Sequence, residues 1–140
     1  MPANPIELPR ALVNQMLHLA QSSPQLEVCG LVGAVDGNPT SCYPITNAAA
    51  TPQLRFQLDP AGQIDAMRQI RERGEALFAI FHSHPAAPAE PSPVDLAEAA
   101  YLDALYLVIS LNTKGVLEMR GFRIRQDKSV QEIKLLLKTD

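Results

Sequence analysis

A chain of 140 residues with 46% hydrophobic and 19% charged side chains has the size and composition of one globular domain with its own core. A net charge of −3, with Lys and Arg scattered rather than blocked, excludes an electrostatic nucleic-acid binder, and a chain without Trp and with few aromatics offers no base-stacking platform. The opening residues, Met1-Pro2-Ala3-Asn4-Pro5, lack the basic and apolar regions of a secretory signal, and no apolar run is long enough to span a bilayer, so the expectation is a cytoplasmic protein that does not bind membranes.

Leu8 to Ser22 reads as an amphipathic helix, with Leu8, Leu12, Met16 and Leu19 on one stripe, Pro9 in the first turn and Pro24 as the stop. His18 in this helix is assigned no role. Cys29 to Val35 reads as a buried strand, Asp36-Gly37-Asn38-Pro39 as a turn, and Ser41 to Thr46 as the returning strand. Asn47 to Leu54 reads as a loop and Arg55 to Leu58 as a strand with one wet face. Pro60 opens a helix to about Arg73, with Ile64, Met67 and Ile70 on successive turns and Gly74 beyond its end.

Ala76 to Phe81 is continuously apolar, as expected of a strand covered on both faces. Pro85 to Pro91 reads as a loop, Pro93 to Leu102 as a short helix and Leu105 to Leu111 as a buried strand. Asn112 to Gly115 reads as a turn and Val116 to Arg125 as a half-exposed strand. Val130 to Leu137 suits either period, and a final strand is the preferred reading. Cys29 and Cys42 are too few for a disulfide framework and too far apart for a zinc knuckle, and read as plain buried residues. With no repeat, linker or composition break, the order of elements predicts a single-domain α/β fold, a mixed sheet flanked by helices.

Chemistry concentrates in Phe81-His82-Ser83-His84-Pro85 and, six residues on, Ser92-Pro93-Val94-Asp95. Residues i and i+2 of a strand share a face, so His82 and His84 can converge on one metal ion. The same pair also suits a satisfied polar edge. Ser92 and Asp95 suit a helix cap, with Pro93 as the first helical residue. Taken together, two His and one Asp make a three-ligand zinc set that leaves a position for water. A hydrolase built on it needs a carboxylate to move the water's proton and a donor for the oxyanion, and Ser92 can be that donor. Glu27, at the start of an apolar strand, is the candidate carboxylate, though physics alone also admits an exposed Glu there.

Glu27-Val28-Cys29-Gly30-Leu31, His82-Ser83-His84-Pro85, Ser92 and Asp95 together closely resemble the E…HxHP…SxxD motif of the JAMM (MPN-plus) metalloproteases, and the order of elements matches over about Leu8 to Arg125. Asn47 and Phe56-Gln57-Leu58-Asp59-Pro60 resemble the compact bacterial members. The resemblance implies a cytidine-deaminase-like α/β fold. It implies one zinc ion on His82, His84 and Asp95, Glu27 as general acid/base, and Ser92 stabilising the tetrahedral intermediate. It further implies hydrolysis of an amide bond after the C-terminal Gly-Gly of a ubiquitin-like or sulfur-carrier protein. Other zinc sites fail on detail: there is no HxE with PCxxC, no Asp-His pair after the HxH, and no HExxH helix. Two further readings stand beside this one: a non-catalytic MPN binding or scaffold module for a ubiquitin-like partner, and a zinc peptidase of the cell-wall or phage-tail type.

Overall fold

The longest apolar runs become the centre of a sheet. In a computed structural model that describes residues 4–112 and 117–138, β1 (Ile6–Pro9) leads into α1 (Arg10–Ser22). There follow β2 (Cys29–Val35), β3 (Asn38–Ile45), α2 (Pro60–Glu72), β4 (Ala76–His84), α3 (Pro93–Glu98), β5 (Leu105–Ser110), β6 (Glu118–Ile124), β7 (Val130–Ile133) and β8 (Leu135–Lys138). Six strands form a mixed sheet in the order β3-β2-β4-β5-β6-β7, in which only β4 and β5 run parallel. β1 and β8 pair in parallel as a separate ribbon.

β4 and β5 are covered on both faces, which is why they read as unbroken apolar runs. On one face α1 packs Leu12, Val13, Met16 and Ala20 against Val32, Ala79, Phe81 and Leu107. On the other, α2 packs Ala66 and Ile70 against Leu31, Ile80 and Tyr106. The two-residue period of β4 then sets the site: Ala79 and Phe81 face α1, so Ile80, His82 and His84 face the α2 side and Ser83 faces the α1 side. Both histidines lie at the carboxyl end of β4 where it runs parallel to β5, the end at which open α/β sheets bind ligands.

Several elements differ from their sequence expectation. Leu8 pairs with Leu137 in the β1–β8 ribbon, so α1 starts at Arg10 and Pro9 precedes it. β3 starts at Asn38, because Asp36 (φ 51°) and Gly37 (φ 80°) close a two-residue hairpin turn that needs positive φ at both positions. As the edge strand, β3 tolerates Pro39 and Pro44, which cannot donate to a ladder. Arg55 to Leu58 is no strand and makes a single bridge, Leu58 to Asn47. Ile64 faces solvent at 71% exposure, and the buried stripe of α2 runs through Ala66 and Ile70 instead. α3 ends at Glu98 rather than Leu102, beyond which the Tyr101 amide donates to the Tyr106 hydroxyl at 3.1 Å instead of to a helical carbonyl. Val130 to Leu137 is extended, as preferred, but breaks at Lys134, whose carbonyl accepts from the Ile6 amide at 2.9 Å. Residues 113–115 of the turn expected at 112–115, and Val116 at the expected strand start, lie outside the described residues. Cys29 is buried and Cys42 half-buried, both free, and burial pushes each thiol up to about 12.

Gly30 marks a close approach within the sheet. A Cβ there would meet the Tyr43 carbonyl oxygen and would lie 2.6 Å from Cε1 of the fully buried Phe81 ring. Neither neighbour can yield without moving backbone or core, so Gly30→Ala should cost about 2–3 kcal/mol of folding stability, read from the denaturant midpoint. An unchanged midpoint would show that β2 and β3 can separate at this point.

Candidate metal centre

Two short ladders bring Glu27 to the histidines. β2 and β4 are antiparallel with Cys29 opposite His82. Beyond the last paired residue, the Ser83 amide donates to the Val28 carbonyl at 3.0 Å, and the Val28 amide donates to Ser83 Oγ at 2.9 Å. One step further, that register sets Glu27 opposite His84. Ser83, fully buried on the far side of β4, is therefore the clamp that holds the Glu27 segment against the histidine strand. Its position between two candidate ligands gave no hint of this in the sequence, because the clamp depends on a partner 55 residues away.

Asn47 completes the frame. Its Nδ2 donates to the carbonyls of Glu27 (2.9 Å) and Arg55 (3.1 Å), and its Oδ1 accepts from the amides of Ala49 and Gln57, both at 3.0 Å. One half-buried amide thus ties the strand start at Glu27 to the 55–57 segment, from which Phe56 stacks on the His82 ring (centroids 4.3 Å apart, 22° between planes). Asn47→Ala leaves backbone donors and acceptors unmatched. It should cost about 2 kcal/mol and reduce turnover, as should Asn47→Asp, whose carboxylate oxygen would face the Glu27 and Arg55 carbonyls; thermal melts beside kinetics would check this.

Asp95 is delivered by the capping box of α3. The Asp95 amide donates to Ser92 Oγ at 3.1 Å, and the Ser92 amide donates to Asp95 Oδ2 at 2.8 Å. The cap reading of this segment is realised, and the cap aims the Asp95 carboxylate at the two imidazoles. Asp95 Oδ2 lies 2.9 Å from His82 Nε2 and 3.1 Å from His84 Nε2, and the two Nε2 atoms lie 3.1 Å apart. Glu27, His82, His84 and Asp95 are all buried, with one donor atom of each within 4.8 Å of the others. Glu27 is not the exposed residue that its neighbourhood in the sequence admits.

This donor set fits a zinc ion. Three donors at 2.9–3.1 Å from one another match one face of a tetrahedron whose edges are about 3.3 Å for bonds of ~2.0–2.1 Å. His84 Nδ1 donates to the Pro88 carbonyl at 2.8 Å, so the neutral ring would carry its lone pair on Nε2, toward the shared centre, as a ligating histidine does. Glu27 Oε1 is buried without a hydrogen-bond partner, as is His82 Nδ1.

Charge in the site is organised for a cation. Burial raises the Asp95 carboxyl, but hydrogen bonds with His82 and His84 outweigh it and hold Asp95 well below the usual carboxylate range. Burial lowers the His82 imidazole. It also acts against His84, where hydrogen bonds to Asp95 and the Pro88 carbonyl prevail and the net shift is upward. Glu27 is pushed up to about 7, first by burial, with Asp95 adding and His84 opposing.

A family model described as "Prokaryotic homologs of the JAB domain" matches residues 9–125. The chain belongs to this JAB-domain family. Among curated proteins it is 33% identical over 93 residues to the Desampylase of Haloferax volcanii, covering 65% of this chain and 67% of that one. It is 33% identical over 115 residues to the CysO-cysteine peptidase of Mycobacterium tuberculosis, covering 81% and 78%. Among solved structures, a protein of Desulfitobacterium hafniense superposes with TM-score 0.85 at 34% identity, covering 96% of this chain and 94% of that one. A JAB1/MPN domain protein of Archaeoglobus fulgidus shares the fold, with TM-score 0.61 at 15% identity over 96% of this chain and 100% of that one. The mixed sheet flanked by helices is thus the JAB/MPN architecture. No helix among the described residues of this JAB domain is long and apolar enough to cross a membrane.

Proposed function

We propose that this JAB domain is a zinc-dependent peptidase that hydrolyses the amide bond after the C-terminal Gly-Gly of a ubiquitin-like or sulfur-carrier protein. The observation that carries the hydrolase chemistry is the buried convergence of Glu27, His82, His84 and Asp95. The substrate class is supported by the names of relatives, Desampylase and CysO-cysteine peptidase, and by the motif. His82, His84 and Asp95 would hold the ion, which when bound would supply a Lewis acid able to bring a water's pKa to about 7.

The chain's own groups do the rest. Glu27 accepts the attacking water's proton on its free carboxylate oxygen and returns it to the leaving nitrogen. Burial holds the Glu27 carboxyl up to about 7 in the metal-free chain, and the charge of a bound ion would lower it toward the base that this step needs. Ser92 Oγ accepts from the Asp95 amide, so its own O–H stays free to donate to the carbonyl oxygen as that oxygen gains charge.

Incubating the zinc-loaded protein with a ubiquitin-like carrier joined through Gly-Gly to an amino acid, with mass spectrometry of the product, tests the proposal. A carrier ending at Gly-Gly is the expected product, and an uncleaved carrier in every conjugate tried would defeat the reading. Ser92→Ala should lower kcat by about 10²–10³-fold, with little change in KM and a cap loss of ~1 kcal/mol. Ser92→Thr, which keeps the hydroxyl and the cap, should recover most of the rate; equal loss in both variants would make Ser92 a cap alone.

A further inference from the structure

Two cavities that share no lining residue are each lined by part of the buried four-residue cluster, one by Glu27 and the other by His82 and Asp95. One, beside the end of α1, is lined by Glu27, Leu26, Val28, Asn47 and Pro52. The other, of about 270 Å³, lies between α2 and the end of α3 and reaches His82 and Asp95 but not Glu27. Its walls are Phe56, Leu58, Ile80, Ala99, Tyr101 and Tyr106.

We infer that this second cavity is the specificity pocket for the carrier: it holds an apolar side chain of the residue that precedes the Gly-Gly. This rests on the peptidase reading above. The leaving nitrogen must come within hydrogen-bond reach of Glu27, so the leaving group runs along the Glu27-lined cavity. The acyl side of the substrate then lies toward the cavity that Glu27 does not line. Two glycines bring no side chain to fill it. Extended, they span about 7 Å, so the residue before them is the first whose side chain can drop into the pocket.

The chemistry of the walls selects an uncharged occupant. The Gln63 amide already donates to the Tyr101 hydroxyl, and the Tyr101 amide to the Tyr106 hydroxyl at 3.1 Å. Glu98 at the rim is paired with Arg55. A charged side chain entering would give up its water for no more than the O–H groups of two tyrosines that already accept elsewhere, whereas Leu, Met or Phe would bury apolar surface against Phe56, Leu58 and Ile80. The pocket is also rigidly placed, since Phe56 is anchored on His82 by stacking and the Gln57 amide on Asn47 Oδ1.

The test is a set of one ubiquitin-like carrier protein ending in X-Gly-Gly joined to aminomethylcoumarin, with X as Ala, Leu, Phe or Asp, assayed with the zinc-loaded wild type. Leu and Phe should exceed Ala and Asp by about 10–100-fold in kcat/KM. Ala99→Phe, which fills the pocket without replacing a residue of the metal centre, should flatten that preference, with Leu and Phe carriers brought to within about threefold of the Ala carrier. The wild-type series stands by itself if that variant does not fold. Cleavage of all four carriers at one rate, or a preference for Asp, overturns the pocket while the peptidase reading survives. A Leu preference undiminished in a folded Ala99→Phe places the selecting contact elsewhere and overturns it as well. No cleavage of any carrier overturns the peptidase reading, and the pocket with it.

Discussion

Replacing Glu27 by Gln is expected to lower turnover by about 10²–10⁴-fold while zinc content stays unchanged. The substitution is nearly isosteric and removes only the oxygen's ability to take a proton. Because Glu27 Oε1 has no hydrogen-bond partner, no other contact within the protein is lost there. The same change should stabilise the metal-free chain above neutral pH. Glu27 is raised from 4.5 to about 7 on folding, so the folded state holds its proton more tightly than the unfolded state does. Stability from this group is therefore complete below about pH 4.5 and is lost as pH rises through about 7. At pH 8 the buried, ionised Glu27 costs about 2–3 kcal/mol, which Gln avoids. Melts of metal-free wild type and Glu27→Gln should thus diverge between pH 5 and 8, with the variant higher. Retained hydrolysis in the variant would remove Glu27 from the mechanism.

Asp95→Ala is expected to take zinc content from about one per chain to near zero and to abolish hydrolysis with it. Asp95 Oδ2 is the point on which both Nε2 atoms converge, and it also accepts from the Ser92 amide. Its removal deletes a ligand and half of the capping box, and should cost the metal-free fold about 2–4 kcal/mol. Asp95→Asn separates the two roles, since an amide oxygen can still accept from Ser92 but is a poor zinc ligand. It should restore most of the stability and little of the metal, as read by elemental analysis beside thermal melts. A folded wild type that takes up no zinc when supplied with it would leave Ser92 and Asp95 as a helix cap and the domain as a binding module.

Residues close in sequence spoke most clearly. The Ser92/Asp95 cap needs only a three-residue spacing, and the His82/His84 pair needs only the two-residue strand period, so local geometry made both readable. The buried strands β2, β4 and β5 were readable because continuous apolar runs admit few other solutions. The misses share a cause. Leu8 and Pro9 fit a helical stripe, but β8, almost the whole chain away, recruits them into a ribbon. Arg55 to Leu58 alternates like a strand, yet Asn47 holds it as a strut. Ile64 fits the stripe of α2 in sequence and faces water because Ala66 and Ile70 allow the closer approach to the sheet.

The amino-acid sequence by itself determined the spacing of the candidate ligands and the strand that carries the histidines, since these depend on backbone periods and caps spanning a few residues. Only the tertiary structure decided that Glu27 is buried opposite His84, that Ser83 and Asn47 hold it there, and that separate cavities flank the metal centre. Those outcomes depend on strand register and on hydrogen bonds between distant segments, and a one-residue slip of β2 against β4 would turn Glu27 to the other face of the sheet.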